Sequence, residues 1–129
     1  MKPIKQINNV YGYCRVSTQE QAQNGISLET QKDLIANFIK EKYNREVDEW
    51  FIDDGVSGTV PILERNRCKA MTDVIDRHDV IVATRIDRLS RSAGDMLQTI
   101  PVLEDTGITL YLCEQFGDVP VVYPKSQDE

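Results

Sequence analysis

Arg15 and Ser17 stand two residues apart at the end of an apolar run that includes Val10, Tyr11, Tyr13 and Val16. Residues i and i+2 of a strand project from one face, so a guanidinium and a hydroxyl there are offered together to a single anion. Far along the chain Arg85, Arg88 and Arg91 fall within seven residues, with Asp87 between them and Arg65 and Arg67 upstream. Guanidinium forks match the non-bridging oxygens of a phosphodiester bidentately, so arginines around a hydroxyl suit phosphoryl transfer. Serine is a weak nucleophile at its own pKa and needs an activator. His78, the single histidine, falls at the far end of the second helical segment, where a structural or surface role is expected. Activation then rests on arginines and carboxylates. The pattern leans toward metal-free chemistry, although Asp53, Asp54 and Asp87 are acids that could hold a divalent ion.

The elements that must position these groups alternate. Val10 to Val16 reads as a first strand, followed by a glutamine-rich polar loop from Gln19 to Asn24. Ser27 can cap a helix with Leu28, Leu34, Ile35, Phe38 and Ile39 as its apolar positions, running to about Lys42 or Tyr43. Val47 to Ile52, with bulky Trp50 and Phe51, reads as the second strand. Asp53-Asp54-Gly55-Val56-Ser57-Gly58 is a turn-rich loop that extends around Pro61. A second helix carries Cys68, Met71, Thr72 and Ile75 on one face. Asp79 to Thr84 is read as a strand for its continuous apolar run Val80-Ile81-Val82-Ala83, the pattern of a strand buried on both faces. Ser92 can cap a third helix that points Ala93, Met96, Leu97, Ile100 and Leu103 inward, bends at Pro101 and stops at Gly107. Ile108 to Cys113 is the fourth strand, and Pro120 to Pro124 reads as a short edge strand. This alternation predicts a three-layer α/β domain: a mostly parallel central sheet of four to five strands with helices on both faces. Ligands of such sheets sit beyond the carboxyl ends of the strands. Arg15, Ser17, the Asp54 loop and Arg85 to Arg91 all follow strands at that edge.

Composition bounds the reading further. A chain of 129 residues, 28% charged and 40% hydrophobic, fits one globular domain with a real core. No apolar run approaches the ~20 residues of a membrane span, and Met1 to Gln6 has no secretory apolar core. Cys14, Cys68 and Cys113 are too scattered for a disulfide framework or a zinc site, which fits a reducing cytoplasm. The net charge of −6 argues against this chain gripping nucleic acid tightly by itself.

Four motifs in order carry a resemblance: Tyr13-x-Arg15-Val16-Ser17-Thr18 with Gln21, Ser27-Leu28-Glu29-x-Gln31, Asp54-Gly55-x-Ser57-Gly58, and Ile86-Asp87-Arg88-Leu89-Ser90-Arg91-Ser92. Together they closely resemble the serine recombinases, the resolvase/invertase and large serine integrase superfamily, over about residues 9–116. The long interval between Gln21 and Ser27 is more like the large integrases. The resemblance implies a resolvase-like catalytic domain for site-specific DNA recombination, in which Ser17 attacks the scissile phosphodiester to give a 5′-phosphoserine link and a free 3′-hydroxyl. It implies no ATP or other cofactor and no metal, because the bond energy is kept in the ester. Arg15 would contact the phosphate; Arg88 and Arg91 would stabilise the transition state, with Arg88 able to protonate the leaving oxygen and Asp87 orienting it. Gln21 and Gln31 fit family glutamines near the nucleophile, and Asp54 fits the acidic loop residue. Arg65 matches the family arginine after that loop, with Arg67 as its competitor. Members of the family assemble as dimers and tetramers and continue into a dimerisation helix and a basic DNA-binding domain. Residues 117–129 read instead as a tail, so specific DNA contact is expected from elements outside this chain. A catalytically silent oligomerisation or regulatory module with the same fold is the rival reading. A phosphatase built on Cys14 fails on spacing, because Arg15 is adjacent to the thiol.

Overall fold

The computed structural model describes residues 7–16, 27–57, 59–85 and 93–124. In chain order the elements are β1 (Val10–Val16), α1 (Leu28–Tyr43), β2 (Glu49–Asp54), a 3-10 turn (Ile62–Glu64), α2 (Asn66–Val74), β3 (Val80–Ala83), α3 (Ala93–Thr106) and β4 (Thr109–Leu112). The strands form one sheet in the order β2-β1-β3-β4, every neighbouring pair parallel. No described helix is long and apolar enough to cross a membrane.

Strict alternation along β1 divides the core. Val10 and Cys14 join Val80, Val82 and Tyr111 under Ile35 and Ile39 of α1. Tyr11 and Tyr13 join Phe51, Ile81, Leu110 and Leu112 on the other face, covered by Cys68 and Met71 of α2 and by Met96 and Leu103 of α3. The three-layer architecture expected from the sequence is therefore present. Helix α1 starts where expected, with the Ser27 side chain accepting the Thr30 N–H at 3.1 Å. Helix α3 stops at Gly107, whose N–H bonds the carbonyls of Leu103 and Glu104 and whose φ of +86° then turns the chain out of the helix.

The structure departs from the sequence reading in element boundaries and in the facing of one side chain. Strand β2 starts two residues later than Val47, because Asp48 is spent on β1: its N–H bonds the Val10 carbonyl and its carboxylate accepts the Val10 N–H. Arg45 holds the same carboxylate at 2.9 Å, so the chain turns there before pairing begins. The strand then runs on through Asp53 and Asp54, which pair in register with Arg15 and Val16. Leu97 is 72% exposed, not inward; buried Thr99 takes a place on the inner stripe, its hydroxyl bonded to the Asp95 carbonyl. Helix α2 ends at Val74, leaving Ile75 as its cap residue. The segment around Pro120 makes one antiparallel bridge, Val122 to Leu110, in place of an edge strand, so the sheet has four strands. Helix α3 is continuous across Pro101, whose ring and the Leu97 side chain both lie on its exposed face. The Ser92 cap lies outside the described residues.

Gly12 shows how tightly the β1–β2 pair is closed. A Cβ there would overlap the ring of Trp50, its register partner, which is itself covered by the Lys32 ammonium at 5.2 Å. Gly12→Ala is expected to cost about 1–3 kcal/mol in urea unfolding, the range for overpacking a filled site. An unchanged midpoint would mean that Trp50 swings aside freely.

Candidate active site

The carboxyl ends of β1 and β2 are brought into register, Arg15 beside Asp53 and Val16 beside Asp54. The chain leaves β2 through Gly55, whose φ of +76° is a left-handed turn suited to glycine. The N–H groups of Gly55 and Val56 both bond the Val16 carbonyl, at 2.7 and 3.2 Å, and fold the loop back over the end of β1.

Arg15 is fully buried, and its guanidinium donates to the Val56 carbonyl at 2.8 Å. Its backbone is held as well. The Gln31 side chain, also fully buried, accepts the Arg15 N–H at 3.3 Å and donates to the Arg15 carbonyl at 3.1 Å. The β1–β3 ladder has its last register pair at Gly12 and Val82, so further along β1 this amide does the work of a strand partner. Gln31 can do so because Ser27 starts α1, whose first turn closes through the Gln31 N–H on the Ser27 carbonyl.

Arg65 is 1% exposed on the same face of the sheet as Arg15. Its Nε donates to the Val60 carbonyl at 2.9 Å and its NH1 to the Tyr13 hydroxyl at 3.0 Å. Arg67 instead extends outward over the Phe51 ring, 5.6 Å from its centroid. Two buried guanidinium groups thus grip carbonyls of one loop, residues 56–60. Asp54 is exposed at the loop entrance. Ser17, Gln21, Asp87, Arg88 and Arg91 lie outside the described residues.

The sequence reading gave Asp54 a place among the catalytic residues and named Asp53 only as an acid that could hold a divalent ion. Asp53 is 1% exposed and accepts three donors: the Tyr13 hydroxyl at 2.9 Å, the Arg67 N–H at 2.8 Å and the Cys68 N–H at 3.1 Å. Parity with buried Phe51, two residues earlier, was the signal that could have found it. Burial pushes the Tyr13 phenol well above its ordinary pKa, with nearby Arg65 opposing the shift, so the hydroxyl keeps its proton. Burial also pushes the Cys14 thiol up to about 12. A thiol so raised is mostly protonated near neutrality and makes a poor nucleophile. His78 lies at the opposite edge of the sheet, in a left-handed turn before β3.

Comparison with known proteins agrees with this architecture. Residues 10–126 match the family described as Resolvase, N terminal domain. The transposon Tn2501 resolvase of Escherichia coli is 30% identical over 88% of this chain and 53% of its own length. Serine recombinase PinR of Escherichia coli strain K12 is 25% identical over 92% of this chain and 55% of its own length. The chain thus spans about half the length of these curated relatives. Among solved structures, the N-terminal catalytic domain of TP901-1 integrase superposes with a TM-score of 0.69 at 31% identity, covering 83% of this chain and 79% of that one. A resolvase family site-specific recombinase from Streptococcus pneumoniae gives 0.67 at 25% identity, covering 90% and 76%. A parallel four-stranded sheet with buried arginines at its carboxyl edge, matched by sequence and by fold, places this chain in the resolvase N-terminal domain family of serine recombinases.

Proposed function

We propose that this domain cuts and rejoins DNA phosphodiesters in site-specific recombination, with Ser17 as the nucleophile. The observation that carries the reading is the pair of fully enclosed arginines, Arg15 and Arg65, oriented by neutral carbonyls of one loop at the strand edge that leads into Ser17. A rigid guanidinium needs little reorganisation as charge builds on the phosphoryl oxygens. In the proposed reaction the Ser17 Oγ–P bond forms and the P–O3′ bond breaks. The Ser17 hydroxyl gives up its proton to solvent water as it attacks, the departing 3′ oxygen takes a proton that Arg88 delivers, and Arg88 regains one from the same solvent; Asp87 orients Arg88 and Arg91 bears on the same charge. Attack of a 3′-hydroxyl on the phosphoserine reverses the step without a nucleotide cofactor. Arg65, and not Arg67, is the arginine of this site. Asp54 is assigned to its loop rim, Gln21 acts near the nucleophile as the family resemblance implies, and Gln31 supports Arg15 through its backbone. DNA is the substrate; self-association to dimer and tetramer, and the choice of site, belong to a longer assembly, since a net charge of −6 gives weak phosphate attraction.

A pool of duplexes randomised around a 3′-bridging phosphorothiolate tests this without knowledge of the target site. The departing 3′-thiol does not rejoin readily, so even weak encounters accumulate as adduct. The expected result is a covalent protein–DNA species mapped to Ser17 by mass spectrometry and absent in Ser17→Ala. An adduct that persists in Ser17→Ala would move the nucleophile elsewhere. A wild-type chain that forms none even when fused to a DNA-binding domain that holds it on the duplex would return the domain to the silent oligomerisation module.

A further inference from the structure

We propose that Asp53 is the positioning residue that fixes Arg65 at both of its ends, an inference that rests on Arg65 belonging to the active site as proposed above. Arg65 occupies the N-cap of α2, where its own side chain makes no capping bond. Arginine has no acceptor to offer the first N–H groups of a helix, and serine, threonine, aspartate or asparagine is the usual choice. The structure solves this from a distance. Asp53, on β2, accepts the N–H groups of Arg67 and Cys68, so its carboxylate sets the start of α2 and with it the Arg65 backbone. The same carboxylate accepts the Tyr13 hydroxyl, and that hydroxyl accepts the Arg65 guanidinium.

The bonds close a ring: Asp53 to the helix amides, along the chain to Arg65, out its side chain to Tyr13, and back to Asp53. Every side chain in it is buried. The protonated phenol suits its middle place, because it must donate to Asp53 while accepting from Arg65. A functional arginine thus sits at a cap position that local propensity disfavours, and a residue twelve positions earlier makes up the loss. Local rules broken with a compensating partner are a mark of functional sites.

The test uses the phosphorothiolate adduct assay with the whole chain. Tyr13→Phe keeps the ring and cuts only the side-chain limb. It is expected to slow adduct formation about tenfold at saturating DNA, with the half-saturating DNA concentration changed by less than about twofold. In an Arg65→Ala background the same change should add nothing, because Tyr13 acts through Arg65. Asp53→Asn should slow the reaction at least as much and should speed solvent exchange of the Arg65 Nε–H in nuclear magnetic resonance spectra. If Asp53→Asn does not fold, Asp53→Glu, which displaces the carboxylate by one methylene, should give the same kinetic loss and the same faster exchange. Effects of Tyr13→Phe and Arg65→Ala that multiply, or an Arg65 Nε–H unmoved in the folded Asp53 variant, would overturn the proposal. Wild-type speed in Arg65→Ala would instead remove Arg65 from the site, a separate failure.

Discussion

An Arg15→Lys variant is expected to form the Ser17–DNA adduct about 100- to 1000-fold more slowly than wild type, the loss typical of one preorganised donor at a charge-developing centre. The charge survives this change; the fork does not. One arm of the Arg15 guanidinium is committed to the Val56 carbonyl, which fixes the plane of the whole group. A lysine ammonium is a compact point charge on a flexible stem and cannot hold that carbonyl while aiming a second, rigid arm at a phosphate. Leaving the Val56 carbonyl short of a donor should also lower stability by about 1–3 kcal/mol. Single-turnover adduct kinetics and urea unfolding on the same preparation separate the two effects. A lysine variant that reacts at the wild-type rate would show that charge alone suffices, and the argument from orientation would fall.

The parts of this fold that sequence made legible are those set by neighbours along the chain. Ser27 capping α1, Gly107 ending α3 and the alternation of β1 are local patterns, and each is present. The misplaced parts are set by distant partners. The start of β2 depends on Asp48 bonding Val10, which no window around residue 48 contains. Leu97 reads as inward by composition, yet the stripe facing the sheet passes through Met96, Thr99 and Leu103, and Thr99 is tolerated there because Asp95 satisfies its hydroxyl.

The site divides the same way. Arg15 was legible because a strand end and a parity rule placed it. Arg65 and Arg67 could not be separated by spacing, since Asn66 is itself a good N-cap and would have set a different helix start. Asp53 separates their positions from β2 by taking the Arg67 and Cys68 amides, which leaves Arg65 at the cap, facing the core, and Arg67 on the outside. Two adjacent acids before a glycine look equivalent in sequence. Pairing with β1 makes one of them a buried tether and the other an exposed turn residue.

Gln31 changes character most between sequence and structure, and its removal should be felt first in stability. The resemblance puts it near the nucleophile; the structure puts its amide on the Arg15 backbone, sealed from solvent. Gln31→Leu keeps much of the volume but abandons one N–H and one carbonyl in the interior. Each such orphan costs about 1–3 kcal/mol, so a loss of about 2–5 kcal/mol is expected in urea unfolding. Gln31→Glu offers a sharper comparison. An ionised carboxylate still accepts the Arg15 N–H but sets an oxygen against the Arg15 carbonyl, so this near-isosteric change should also destabilise the domain markedly. Amide exchange under native conditions locates the damage. In Gln31→Leu the Arg15 N–H should lose protection beyond the global change, while β3 amides follow the global change alone. Adduct formation should fall with it, because the backbone that carries Arg15 into Ser17 is no longer pinned. A variant that unfolds like wild type yet reacts slowly would instead mean that the glutamine meets the DNA itself.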